Sequence, residues 1–172
     1  MEFWEVIKTR RSIRKFDPKK NVSEEQLDKI LEAAVWAPSS GNTQCWRFFA
    51  VRDKNVKNEL ANKAGHQPFI NDASILIVVC ADLDEIARSY GERGRNTYSI
   101  QDTSVAIENM LLATTSLGLA SCWVGAFDEG RAAKILKLDN NIRPLAMIPI
   151  GYAAESPIPP ARRSLKEVVI KI

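Results

Sequence analysis

The sequence predicts an α+β fold, with helices packed on a central sheet in one domain spanning residues 1–172. Three observations predict it. Helix-period and strand-like segments follow one another with no linker, repeat or low-complexity tract between them. The run Ile75–Ala81 is apolar throughout, as expected of a strand buried on both faces. A chain of 172 residues that is 45% hydrophobic is also long enough and apolar enough for a single core of real size.

The elements follow in order. Phe3 to Thr9 reads as a helix with Phe3, Val6 and Ile7 on one face. A second helix starts at Ser23, where Ser23-Glu24-Glu25-Gln26 forms a capping box. Its apolar stripe is Leu27, Ile30, Leu31, Ala34 and Val35, and Pro38 stops it. A polar loop over 39–45 leads into the strand Trp46–Val51, rich in β-formers. Asp53 caps a charged helix running to about Ala64, and after His66-Gln67-Pro68 comes the strand Ile75–Ala81. Ser89 to Asn96, polar and interrupted by glycine, is expected to be the least structured stretch. A long helix spans about Ile100 to Leu117, apolar around much of its circumference, with Gly118 as its stop. A strand follows over 120–125, then a helix capped by Asp128, then a strand over 145–152. Glu155-Ser156-Pro157-Ile158-Pro159-Pro160 is an extended connector, because each proline removes a donor and fixes φ. It leads to Arg162-Arg163-Ser164 and a β-prone apolar end over 165–172.

Composition excludes several functions. A net charge of +3 without a continuous basic stripe argues against nucleic acid as a partner. No apolar run reaches the roughly 18–20 residues of a membrane span, and the N-terminus lacks a secretory apolar region. Cys45, Cys80 and Cys122 are odd in number and widely spaced, which fits a reducing cytoplasm and neither a zinc cluster nor a disulfide framework. With His66 the only histidine, no multi-histidine metal site is available. A redox role would therefore need an organic cofactor.

Four segments carry chemistry. Arg10-Arg11-Ser12-Ile13-Arg14 gathers three guanidiniums and a hydroxyl, groups that match phosphate oxygens in bidentate fashion. The plain alternative is a basic end that complements a helix dipole. Pro38-Ser39-Ser40-Gly41-Asn42-Thr43-Gln44-Cys45-Trp46 places hydroxyls and carboxamides where they could hydrogen-bond a flat heterocycle, although a helix-to-strand turn uses the same residues. Gly118 to Phe127 brings small residues to a strand end, where a backbone can approach a planar ring or simply pack tightly. Arg162 and Arg163 could close on a phosphate after the proline connector, or stand exposed on a tail.

Taken together, these segments resemble the nitroreductase family of FMN-dependent oxidoreductases, in the same order along nearly the whole chain. The resemblance implies a three-layer α/β/α sandwich around a mostly antiparallel sheet. It implies a homodimer in which residues 153–172 form a domain-swapped arm, with two FMN sites at the subunit interface. Arg10, Arg11, Ser12 and Arg14 would hold the phosphate and ribityl chain from one subunit, completed by Arg162 and Arg163. Pro38, Ser39, Ser40, Asn42 and Gln44 would approach the isoalloxazine from the other. Val124, Gly125 and Ala126 would line the ring through backbone groups. The sequence departs from the family at two points. Cys45 stands where proline is common, either as a small hydrophobe or as a thiol near the flavin. No lysine accompanies His66-Gln67, which leaves Gln67 as the candidate ring contact.

The implied activity is two-electron transfer from NAD(P)H through the flavin to nitroaromatics, quinones or similar electron-poor acceptors, by a ping-pong cycle. No side chain need act as nucleophile or base, since the cofactor carries the chemistry. With little length for helices inserted over the site, an open pocket is expected. The alternatives are a specialised flavin reaction such as reductive dehalogenation, a non-catalytic FMN store or sensor, and a basic interaction protein without cofactor.

Overall fold

A computed structural model describes residues 2–172. Its centre is a four-stranded sheet made of β1 (Trp46–Val51), β2 (Ile75–Asp82), β3 (Ala120–Ser121) and β4 (Ile142–Gly151). The strands lie in the order β1-β2-β4-β3 and every neighbouring pair is antiparallel. β2 is buried on both faces, as its unbroken apolar run requires. Ile75, Ile77 and Val79 face α2 (Glu24–Val35) and α5 (Ser99–Ser116), together with Ile30, Met110 and Ile148. Leu76, Val78 and Cys80 face the other way, against Leu60, Ala61 and Ala64 and against Ala132 of α6 (Glu129–Leu136). Those two clusters make the three layers, helix on sheet on helix. Among the described residues no helix is long and apolar enough to cross a membrane.

Local rules account for most element ends. Ser23 and Gln26 form the capping box of α2, each side chain bonding the other's backbone. Asp53 caps α3 (Lys54–Glu59) by accepting from the Asn55 and Val56 amides, and the chain continues as a wider turn over Leu60–Ala64. Gly118 ends α5 at φ +71°, with its amide on Thr115 O and that of Leu119 on Thr114 O.

Three expectations fail for physical reasons. Ser89 to Asn96 is helical: α4 (Leu83–Arg93), capped by Asp82, runs through a turn over Gly94–Tyr98 into α5. Its glycines redirect the chain rather than unravel it. Gly91 sits at φ +51°, and Gly94 packs so closely that a Cβ would lie 2.8 Å from Ile86 O. The expected strand over 120–125 shortens to two residues plus a bridge from Val124 to Met147. Cys122 N–H reaches Pro149 O at 3.3 Å, but proline has no N–H to return, and the ladder breaks there. The β-prone end is also corrected: Leu165–Val168 winds into a single turn, α7, under a capping box made by Ser164 and Glu167.

Candidate functional site

The arginine segment leaves α1 (Phe3–Thr9) as extended chain. Ser12 pairs in parallel with Ser121, with Ile13 N–H on Ser121 O at 2.9 Å, and Phe16 bridges to Ala153. Ile13 and Phe16 are buried anchors, in a cluster with Ala73 and Ala120. The polar side chains between them stay near the surface. Arg162 comes from far along the chain to join them. It lines a cleft of about 370 Å³ together with Arg10, Arg11, Ser12, Arg14, Pro157, Ile158 and Pro160.

These arginines are not equivalent. Arg11 Nη1 donates to Lys8 O at 2.7 Å and Arg10 O at 2.6 Å, capping the C-terminus of α1 as the plain reading of a basic helix end required. Arg10 lies 3.7 Å from Glu108 of α5. Arg14 has no ion pair among the described residues; its backbone N–H donates to Glu155 Oε1 at 2.5 Å. Arg163 does not line the cleft. Beneath it, burial pushes the Cys122 thiol up, while the Arg14 charge, the Ser12 hydroxyl and the Arg10 charge pull the other way. A larger cleft, about 500 Å³ between α3 and the approach to β2, contains none of the sequence-derived site residues. Chemistry rather than size therefore marks the arginine cleft.

The loop 38–44 is held under tension. Gly41, Asn42 and Gln44 adopt φ of +56°, +58° and +51°. A left-handed residue other than glycine costs about 1–2 kcal/mol, so neighbours must impose the shape. Asp102, on the buried face of α5, takes the Ser40 N–H on both oxygens at 3.0 and 3.1 Å and the Ser40 Oγ–H at 2.9 Å. Ser39 Oγ accepts the Gln44 amide, and Gln44 Nε2 donates to Asn42 Oδ1 at 3.1 Å. Tyr90 closes the side, its hydroxyl 2.5 Å from where a Cβ on Gly41 would sit. Thr43 Oγ1 is buried with no hydrogen-bond partner among the described residues. Sequence reading missed both Asp102 and Tyr90. Ser40's two proton donors point inward, leaving Asn42 and Gln44 as the exposed carboxamides.

Gln67 follows left-handed His66 at φ +49°, and its N–H donates to Ala61 O at 2.9 Å. It opens the short turn Pro68–Asp72, whose Phe69 stacks on Phe16 beneath the arginine segment. Val124 is buried and paired with Met147, while Gly125 and Ala126 are exposed. Their two amides donate to nothing among the described residues. The strand end is thus tied to the arginine segment through Ser121. None of the 38–44 residues lines the arginine cleft of the same protomer.

This order of parts is matched by a family model, described as the nitroreductase family, over residues 7–67 and 59–152. The chain belongs to the nitroreductase family. It is 37% identical over 163 residues to the "Putative NADH dehydrogenase/NAD(P)H nitroreductase" of Methanothermobacter thermautotrophicus, covering 91% of this chain and 80% of that protein. To the FMN reductase [NAD(P)H] of Bacillus subtilis it is 32% identical over 167 residues, covering 88% and 67%. The crystal structure of the nitroreductase family protein from Streptococcus pneumoniae superposes with a TM-score of 0.89 at 26% identity, covering 99% and 100%.

The placement of Cys45 fits the small hydrophobe rather than an exposed thiol. Cys45 is fully buried with Ala81 and Ile86. Burial, and then the Asp102 charge, push its thiol up to about 11, and burial takes Cys80 to about 12. Raised values disfavour the reactive thiolate at neutral pH. Iodoacetamide at pH 8 should therefore label no cysteine in the folded protein and all three in denaturant, as intact-mass spectrometry would show. Rapid native labelling at Cys45 would contradict its placement.

Proposed function

We propose that this chain is an NAD(P)H-dependent flavin oxidoreductase that binds FMN between two copies of the chain and reduces electron-poor acceptors such as quinones and nitroaromatics. The observation that carries the reading is the arginine cleft, where Arg162 joins Arg10 and Arg14 from the far end of the chain. Its donors fit a phosphate dianion. The Arg14 guanidinium has no ion pair among the described residues, and Ser12 adds a hydroxyl. The Gly125 and Ala126 amides, which donate to nothing among the described residues, suit the polar edge of a ring attached to that phosphate.

When bound, FMN supplies the two-electron chemistry. The protein's part is placement. Arg10, Arg14, Arg162 and Ser12 would fix the phosphate, Arg11 supporting them by fixing the end of α1. Gly125, Ala126 and Gln67 would border the ring from the same subunit. Loop 38–44, braced by Asp102, would present Asn42 and Gln44 from the second subunit, since it lies apart from the cleft of its own.

Exposed apolar surface supports the dimer. Phe3, Trp4 and Trp36 are 65%, 67% and 79% exposed, and a groove of about 500 Å³ runs between Phe3, Trp36 and Leu112. The arm beyond Gly151 leaves Ile158, Leu165 and Ile170 in the open as well. Apolar patches of this kind are covered in stable assemblies, and we assign the partner's arm to the groove. Removing residues 152–172 should yield a monomer without flavin, by light scattering and absorbance together. A truncated dimer that keeps its flavin would show that the arm is not swapped.

Kinetics test the activity. With NADH or NADPH and a quinone as the varied pair, double-reciprocal plots should give parallel lines, the signature of one binding region used in turn. Intersecting lines would require both partners to be bound together.

A further inference from the structure

We propose that Tyr90, Arg93 and Tyr98 form a recognition site for an anionic group, a carboxylate or a phosphate, on the molecule that exchanges electrons at this site. The inference rests on the preceding reading for the position of the flavin ring beside loop 38–44. It assigns a ligand class to α4, a segment that reading leaves idle.

A continuous chain of contacts runs outward from the loop. The Tyr90 hydroxyl lies against Gly41. The Tyr98 ring stands edge-on to that of Tyr90, with centroids 5.1 Å apart and planes at 88°. The Arg93 guanidinium lies over Tyr98 with its carbon 5.2 Å from the ring centroid, and its Nε donates to the Tyr98 hydroxyl at 2.8 Å. Arg93 is therefore held on one face and at one nitrogen. Its two terminal nitrogens donate to nothing among the described residues, and they form the fork that matches two oxygens of a carboxylate or phosphate.

The neighbouring arginines differ. Arg88 pairs with Glu85 at 3.1 Å, and Arg95 with Asp84 at 2.7 Å and Glu92 at 3.6 Å. The acids of α4 are thus each paired with another arginine, and Arg93 has no ion pair among the described residues. Backbone geometry keeps it in place. Gly91, at φ +51°, breaks the helix one residue after Tyr90, and the close packing of Gly94 on Ile86 O fixes the restart. A guanidinium ordered in advance loses less rotamer freedom on binding than a free surface arginine.

Two sources carry such an anion: the ribose phosphate that distinguishes NADPH from NADH, and an acidic substituent on the acceptor. The test uses flavin-loaded wild type and Arg93→Gln with two matched pairs, NADPH against NADH and 4-nitrobenzoate against 4-nitrobenzamide. For one pair the ratio of kcat/KM for the member that carries the added anion to that for the member without it should fall about tenfold in the variant; the pair affected names the source. Tyr98→Phe, which keeps the ring and removes the tether, should lower the same ratio about two- to threefold. That variant decides the matter if Arg93→Gln does not fold. Unchanged ratios in both pairs, or equal losses for the two members of each pair, would overturn the proposal while the flavin reading stands. Wild type that takes up no FMN would overturn both.

Discussion

Asp102→Ala is expected to lower stability by about 2–3 kcal/mol and to weaken flavin retention at least tenfold. Asp102 is 5% exposed and accepts both proton donors of Ser40. Charge-assisted hydrogen bonds contribute roughly 1.5–3 kcal/mol each, part of which is offset by no longer burying the carboxylate. For a chain of this size the loss corresponds to a fall in Tm of roughly 4–12 °C. The flavin effect follows from the loop. The Ser40 anchor and Tyr90 at the side help impose the left-handed backbone of Asn42 and Gln44, beside the loop's own hydrogen bonds. Asp102→Asn keeps one oxygen for the Ser40 amide and should recover part of both losses. If Asp102→Ala melted like wild type with its flavin intact, the carboxylate would not be the anchor.

The second large effect concerns the phosphate. Arg10→Ala with Arg14→Ala removes two of the cations that line the arginine cleft. At roughly 1.5–3 kcal/mol for each charge-assisted contact, FMN binding should weaken about 10²- to 10⁴-fold. Stability should change far less. The Arg10–Glu108 pair is 3.7 Å long, with side chains 24% and 49% exposed, and such surface pairs contribute about 0–1 kcal/mol. Riboflavin, which lacks the phosphate, makes the comparison sharper. Wild type should prefer FMN to riboflavin, and the double variant should lose most of that preference. Added salt should weaken FMN binding to wild type more than to the variant. Equal affinity of wild type for FMN and riboflavin would place the phosphate elsewhere.

What could be read from the sequence was what local rules decide. The capping box at Ser23, the Asp53 cap, the Gly118 stop and the doubly buried run after Ala73 each need only a few adjacent residues. Errors arose where distant chain overrode a local signal. Pro149 shortened a strand that is nearly thirty residues earlier in the sequence. Gly94 is a different case, a close contact with Ile86 of the adjoining helix that a glycine's turn-forming habit concealed. The Ser164–Glu167 box was a local signal that the β-prone residues after it concealed. The site divides in the same way. Hydroxyls, carboxamides and guanidiniums were visible as clusters because they are adjacent in sequence. Asp102 and Tyr90 were not, since each meets the loop only in the folded chain. The same limit applies to Arg11, whose bonds to the Lys8 and Arg10 carbonyls at the end of α1 form only in the folded chain.

The most direct test of the central claim is the visible spectrum of the purified protein under anaerobic conditions, before and after NADH or NADPH. The expected result is flavin absorption that bleaches on addition of the nucleotide and returns when a quinone is supplied. No flavin absorption, even after incubation with FMN, would contradict the assignment of the arginine cleft and of loop 38–44 to a flavin site.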